Sequence, residues 1–226
     1  MRRFMPSQGA SGRLPFIMIA ATVPLVLLGA CGQARDTPDA TNAPSPSGPV
    51  SVHAYYIKAA DLPGEWRDSN PPDPGFRQEV CGVDIEPTRP TSTGAIRVSQ
   101  GGLGPFVNQH VRLYDDEAVS ATVVAELADA LPTCTEYTTT GSGEDSPAVR
   151  FTVEPLSGAE LPTGAVGWRQ QGQGDDGPGV ISDVVLLARD RAMVALVSYE
   201  VRGEPDSEVL DAAVEAADAK AAGLSP

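Results

Sequence analysis

The chain is 226 residues long, 41% hydrophobic but only 5% aromatic, with 16 basic and 30 acidic residues and a formal charge of −14. That length suits one domain with irregular attachments, and the acidic balance excludes a nucleic-acid partner, since phosphate neutralisation needs clustered Lys and Arg. The three cysteines are an odd number and ask for a separate role for one of them.

Arg2, Arg3 and Arg13, unaccompanied by any acid, flank an apolar run of 13 residues, FIMIAATVPLVLL, over 16–28. At 1.5 Å per residue the run is too short for a ~30 Å hydrocarbon core but matches the apolar region of a signal peptide. Leu28-Gly29-Ala30-Cys31 follows in register and resembles a bacterial lipobox. The resemblance implies cleavage before Cys31 and a diacylglycerol on its thiol. Arg2-Arg3 lies far from the apolar run, so ordinary secretion is expected rather than twin-arginine export.

The expected organisation is a lipoprotein signal peptide over 1–30, lipidated Cys31 with a disordered tether over 31–49, and one α+β domain over 50–226. The tether reading rests on GQARDTPDATNAPSPSGP, which contains no Leu, Ile, Val or aromatic residue and cannot offset its ordering entropy by burial. Cleavage leaves 13 bases against 30 acids, or −17. Anionic headgroups would repel such a surface, so the membrane partner is reached through the acyl chains at Cys31, each buried CH₂ contributing about 0.8 kcal/mol. The expected location is the extracytoplasmic face of the cell membrane, lipid-anchored.

With Cys31 assigned to the anchor, Cys81 and Cys134 form an even pair in an oxidising compartment and are expected to be disulfide-bonded. Neither has a neighbouring Cys or His in sequence, which disfavours redox chemistry.

In chain order, Val50 to Ile57 reads as a strand, and Ala59 to Leu62 as a turn of helix stopped by Pro63-Gly64. Glu65 to Gly75 is a loop by composition. Ala95 to Ser99 and Phe106 to Tyr114 read as strands. In the latter, Val107, Val111 and Leu113 share one face, and Asn108, His110, Arg112 and Tyr114 the other. Asp115 and Asp116 offer helix caps, and Val119, Val123, Val124, Leu127 and Leu131 recur at helical spacing until Pro132.

Thr135 to Thr140, Val149 to Val153, Ala165 to Gln171, Val180 to Ala188 and Ala192 to Val201 read as further strands. Gln171 to Gly179 is a long hairpin loop between two of them, and Asp190-Arg191 a tight one. A last helix runs from Asp206 to Ala222. Hairpin-spaced strands with two helices predict an α+β domain, an antiparallel sheet with both helices packed on one face and the other face open to a partner.

Catalytic patterns are scarce. His-Glu-x-x-His, Gly-x-Ser-x-Gly and Ser-x-x-Lys do not occur, and Gly101-Gly102-Leu103-Gly104 is no phosphate loop. Asp175-Asp176-Gly177 lacks the ligand spacing of a calcium loop. No metal and no cofactor is expected. The candidate ligand-binding residues are His110, Arg112 and Tyr114, which project together from one strand, and Trp168, whose ring carries a polar edge. Each also suits a solvated strand face or a core margin.

Ala59-Ala60-Asp61-Leu62-Pro63-Gly64-Glu65-Trp66, Cys81, Val111-Arg112-Leu113-Tyr114 before a helix and Leu131-Pro132-Thr133-Cys134 after it resemble a class of actinobacterial lipoproteins. Their mature domains are similar to the extracellular sensor domain of a mycobacterial receptor-type serine/threonine kinase. The resemblance implies an α+β sandwich with a cleft, and sensing or binding of a small ligand or envelope component rather than catalysis. An accessory module docking on an envelope protein is the alternative, and an envelope hydrolase the third reading. The chain departs from that sensor in having one cysteine pair rather than two and no kinase domain.

Overall fold

Val184 to Ala188 and Ala192 to Val197 are continuously apolar, the pattern of strands covered on both faces. They lie at the centre of the sheet. The computed structural model describes residues 50–72, 79–140, 148–156, 160–174 and 177–224. The strands are β1 (Arg67–Ser69), β2 (Glu79–Val80), β3 (Val83–Asp84), β4 (Ser92–Ser99), β5 (Phe106–Leu113), β6 (Glu136–Thr140), β7 (Ala148–Pro155), β8 (Ala165–Gly174), β9 (Gly177–Arg189) and β10 (Ala192–Tyr199). The helices are α1 (Ala118–Ala130) and α2 (Ser207–Ala222).

Among the described residues, eight strands form one sheet in the order β1-β4-β5-β10-β9-β8-β7-β6, and β2 and β3 form a separate hairpin. Every pairing is antiparallel. The domain is therefore α+β, as the sequence predicts. Val80-Cys81-Gly82-Val83 turns in two residues, both at positive φ (53° and 82°), which is what a type I′ hairpin requires.

The two helices do not share a face. Val185, Leu187, Val194 and Leu196 pack with Leu210, Ala213, Val214 and Ala217 of α2. The alternate residues Val184, Leu186, Met193 and Ala195 belong with Val123, Val124 and Leu127 of α1. Expecting both helices on one face was wrong because the central strands are apolar on both sides, and each side needs a cover.

Asp206 starts α2 by accepting from the Glu208 N–H at 2.9 Å, and Asp116 starts α1 by accepting from the Ala118 N–H at 2.9 Å. Arg189 on β9 holds Asp218 of α2 at 2.6 Å, fixing that helix against the sheet.

The expected strand over Val50 to Ile57 is instead a 3₁₀ turn, Val52–Tyr55. It presents Val52, Tyr55 and Ile57 to the α2-side core, and fully buried Gln109 of β5 supplies the bonds that a neighbouring strand would have given. Gln109 Oε1 accepts from the Ile57 N–H, and its Nε2 donates to the Tyr55 carbonyl, both at 2.9 Å. Gly94 in β4 leaves the space that Tyr56 fills, since a Cβ there would collide with the Tyr56 hydroxyl.

The expected loop from Glu65 to Gly75 contains β1, paired at the sheet edge with β4, and β2 and β3 lie where the sequence predicts no element. The expected long loop over Gln171 to Gly179 is mostly strand, with β8 reaching Gly174, β9 beginning at Gly177 and a register shift between Gln171 and Gln173. Ladder bonds belong to the backbone, so a polar, glycine-rich composition did not prevent pairing. Residues 1–49, with the expected signal peptide, Cys31 and the expected tether, lie outside the described residues, as do Gly75, residues 141–147 and Asp175-Asp176. Among the described residues no helix is long and apolar enough to cross a membrane.

Candidate functional site

α1 and the β2-β3 hairpin cover only part of their face of the sheet, and beside them a cleft of about 310 Å³ opens over β5, β10, β9 and β8. Strand register lays out its floor in rows. One row runs Asn108, Val197, Val184, Trp168, and the next His110, Ala195, Leu186. Arg112 continues the β5 wall, Gln170 the β8 wall, and Ile85 and Pro72 complete the described lining. Three of the four predicted ligand-binding residues, His110, Arg112 and Trp168, thus line one cavity.

The face carrying them is not the exposed, solvated surface that period-2 patterning suggested. His110 is 5% and Arg112 1% exposed, and Arg112 donates from Nε to Glu86 Oε2 at 2.9 Å. Glu86 follows β3, 26 residues away in sequence, and no local signal marks it as the partner. On the opposite wall, Gln170 Oε1 accepts from Trp168 Nε1 at 2.8 Å and from the Tyr137 hydroxyl at 2.7 Å. Burial pushes the Tyr137 hydroxyl well above the usual tyrosine range, which keeps it a donor. Asn108 Oδ1 accepts from Arg97 Nε at 2.7 Å. Gln170 is missing from the predicted set, although alternation through β8 places it on the face of Trp168.

Tyr114, the fourth predicted residue, does not reach the cleft. It is 1% exposed and packs in the core on the α1 side. Its hydroxyl has no hydrogen-bond partner among the described residues. Burial is the main reason that its pKa is pushed up to about 12; Arg112 opposes the shift, while Glu86 and Asp84 assist it. Because the folded value lies above the unfolded one, this contribution is fully present below about pH 10 and is lost as pH rises towards 12. Tyr114→Phe is therefore expected to gain about 1 kcal/mol at pH 7, by removing an unbonded buried hydroxyl, and to lose less stability between pH 9 and 12. Denaturant titrations across that range check both, and a variant weaker at pH 7 would refute the assignment.

His53 lies on the first 3₁₀ turn and lines a separate depression with Tyr56 and Ile96, so the two histidines do not converge. Trp66 packs at the margin of the α2-side core and donates to the Pro63 carbonyl at 2.8 Å. Among the described residues no group of three or more His, Cys, Asp or Glu is arranged to hold a metal. Cys81 and Cys134 are bonded, with Cα atoms 5.8 Å apart, and join the β2-β3 turn to the chain just beyond α1.

Fold and site together define an α+β domain with a broad antiparallel sheet and a cleft on one face. No family model and no curated protein matches the chain. Among solved structures, the chain is similar in fold to the extracellular domain of PknH from Mycobacterium tuberculosis. The TM-score is 0.50 at 12% identity, covering 74% of this chain and 93% of that one. The resemblance expected from the residues is thus present as a likeness of fold.

Proposed function

We propose that the chain is an extracytoplasmic, lipid-anchored binding domain of sensor type that holds a small envelope component in the cleft. The observation carrying this reading is the composition of the cleft lining. Buried polar groups stand over a floor of Val184, Leu186, Ala195 and Val197, with Trp168 at one end, the usual build of a small-molecule site. The lining holds no Ser, Thr, Cys, Lys, Asp or Glu among the described residues, so the cleft is better suited to binding than to turnover. Likeness of fold to an extracellular domain and the resemblance of Leu28-Gly29-Ala30-Cys31 to a lipobox support the location.

The test uses the full chain, exposed in detergent to a chloroform–methanol extract of the cell envelope and washed. Its bound species are then compared by mass spectrometry with those of Ala195→Trp, which fills the floor. A small species enriched on the parent and lost from the folded variant is expected. An empty parent that co-purifies with a membrane protein would favour a docking module instead. In the same cells Cys31→Ser is expected in the medium, and its recovery in the membrane pellet would overturn the anchor.

A further inference from the structure

We propose that the cleft selects an uncharged molecule with an apolar body and a carbonyl oxygen at each of two ends. The inference rests on the cleft being a ligand site, as read above, and adds the chemistry of what enters it.

Two side-chain amides of the lining have their orientation fixed by chemistry. Arg97 Nε is a donor only, so the Asn108 atom 2.7 Å from it is the carbonyl oxygen. Trp168 Nε1 is likewise a donor only, so the Gln170 atom 2.8 Å from it is also the oxygen, and the Tyr137 hydroxyl donates to that same atom. Both acceptor ends are consumed inside the protein. What remains on each residue is an NH₂ group, and neither NH₂ has a protein partner among the described residues, although both residues line the cleft.

The two amides belong to opposite walls. Asn108 is on β5 and Gln170 on β8, with β10 and β9 between them, and Gln170 lies two residues along from the row of Asn108, so their backbones are separated by about 16 Å. The floor between includes Val197 and Val184, whose side chains offer no hydrogen bond. A ligand bridging the walls therefore meets a donor at each end and apolar surface in the middle. Charge decides the rest. Among the described residues of the lining the guanidinium is that of Arg112, which is held by Glu86, and the chain as a whole is strongly acidic, so these residues do not reward an anion. A cation would meet donors where it needs acceptors.

Probes of one size and four head groups test this by titration calorimetry on the full chain: dimethyl terephthalate, terephthalate, p-xylylenediammonium and p-xylene. The diester is expected to bind about 10-fold or more tightly than the other three, since two hydrogen bonds each contribute a factor of about 3–10. Asn108→Asp and Gln170→Glu keep the oxygens that accept from Arg97, Trp168 and Tyr137, and replace only the NH₂. Each is expected to stay folded by circular dichroism, lose about 3–10-fold in diester affinity and gain affinity for the diammonium probe. Equal binding of diester and p-xylene by the parent chain, which needs no variant to fold, would overturn the donor assignment, and equal binding of diester and dianion the selection for an uncharged molecule; either result leaves the cleft as a ligand site. If no probe binds, p-xylene included, both readings fall.

Discussion

Arg112→Met is expected to lower the unfolding free energy by about 3–5 kcal/mol, the usual cost of breaking a buried ion pair from one side. The two side chains are 2% and 12% exposed, with Nε and Oε2 at 2.9 Å, so removal of the guanidinium leaves a carboxylate with little water and without its salt-bridge partner. Arg112→Met combined with Glu86→Leu should recover most of the loss, because apolar residues of similar volume can replace both charges at little net cost. Urea unfolding at pH 7 measures both variants, and a loss below about 1 kcal/mol for Arg112→Met would refute a buried, essential pair. The pair also joins β5, which forms one wall of the cleft, to the segment after β3 that contributes Ile85 to its lining.

Reduction of the Cys81–Cys134 disulfide is expected to cost about 4 kcal/mol. That is the chain-entropy estimate for a 53-residue separation, and it corresponds to a fall in Tm of roughly 8–16 °C for a domain of this size. Strands β2 and β3 have two residues each, and a hairpin so short has no stability of its own. The bridge ties it to the end of α1, and through Glu86 the hairpin reaches Arg112. Reduction should therefore weaken ligand binding as well as the fold. Both sulfur-bearing residues are half-buried, so dithiothreitol has access to them. An unchanged Tm under reduction would show that the bridge does not stabilise the domain.

Much of this architecture is legible in the chain. The apolar stripe from Val119 to Leu131 and the alternation through Phe106 to Tyr114 place α1 and β5, and the odd cysteine isolates Cys81 and Cys134 as a pair. The split of the helices between two faces was legible as well, in the unbroken apolar runs of β9 and β10, which exceed what a one-sided sheet needs. Other features have no local signature. The 3₁₀ turn over Val52–Tyr55 depends on Gln109, more than 50 residues away, and the charge on Arg112 is compensated by Glu86 from a separate hairpin. Period-2 spacing identified which side chains of β5 share a face. It could not reveal that α1 buries Tyr114 while leaving His110 and Asn108 beside an open cavity, because that depends on where a helix from elsewhere in the chain comes to rest.

The two tryptophans provide the most direct measurement. Trp168 lies on the cleft, hydrogen-bonded to Gln170, whereas Trp66 belongs to the margin of the other core and bonds to Pro63. In a ¹⁵N–¹H spectrum of the full chain each gives one indole resonance. On addition of the chloroform–methanol envelope extract, the Trp168 indole and the side-chain amides of Asn108 and Gln170 are expected to shift together while the Trp66 indole stays in place. A shift of Trp66 with Trp168 unmoved, or no movement of either at saturating extract, would contradict a ligand site in the cleft.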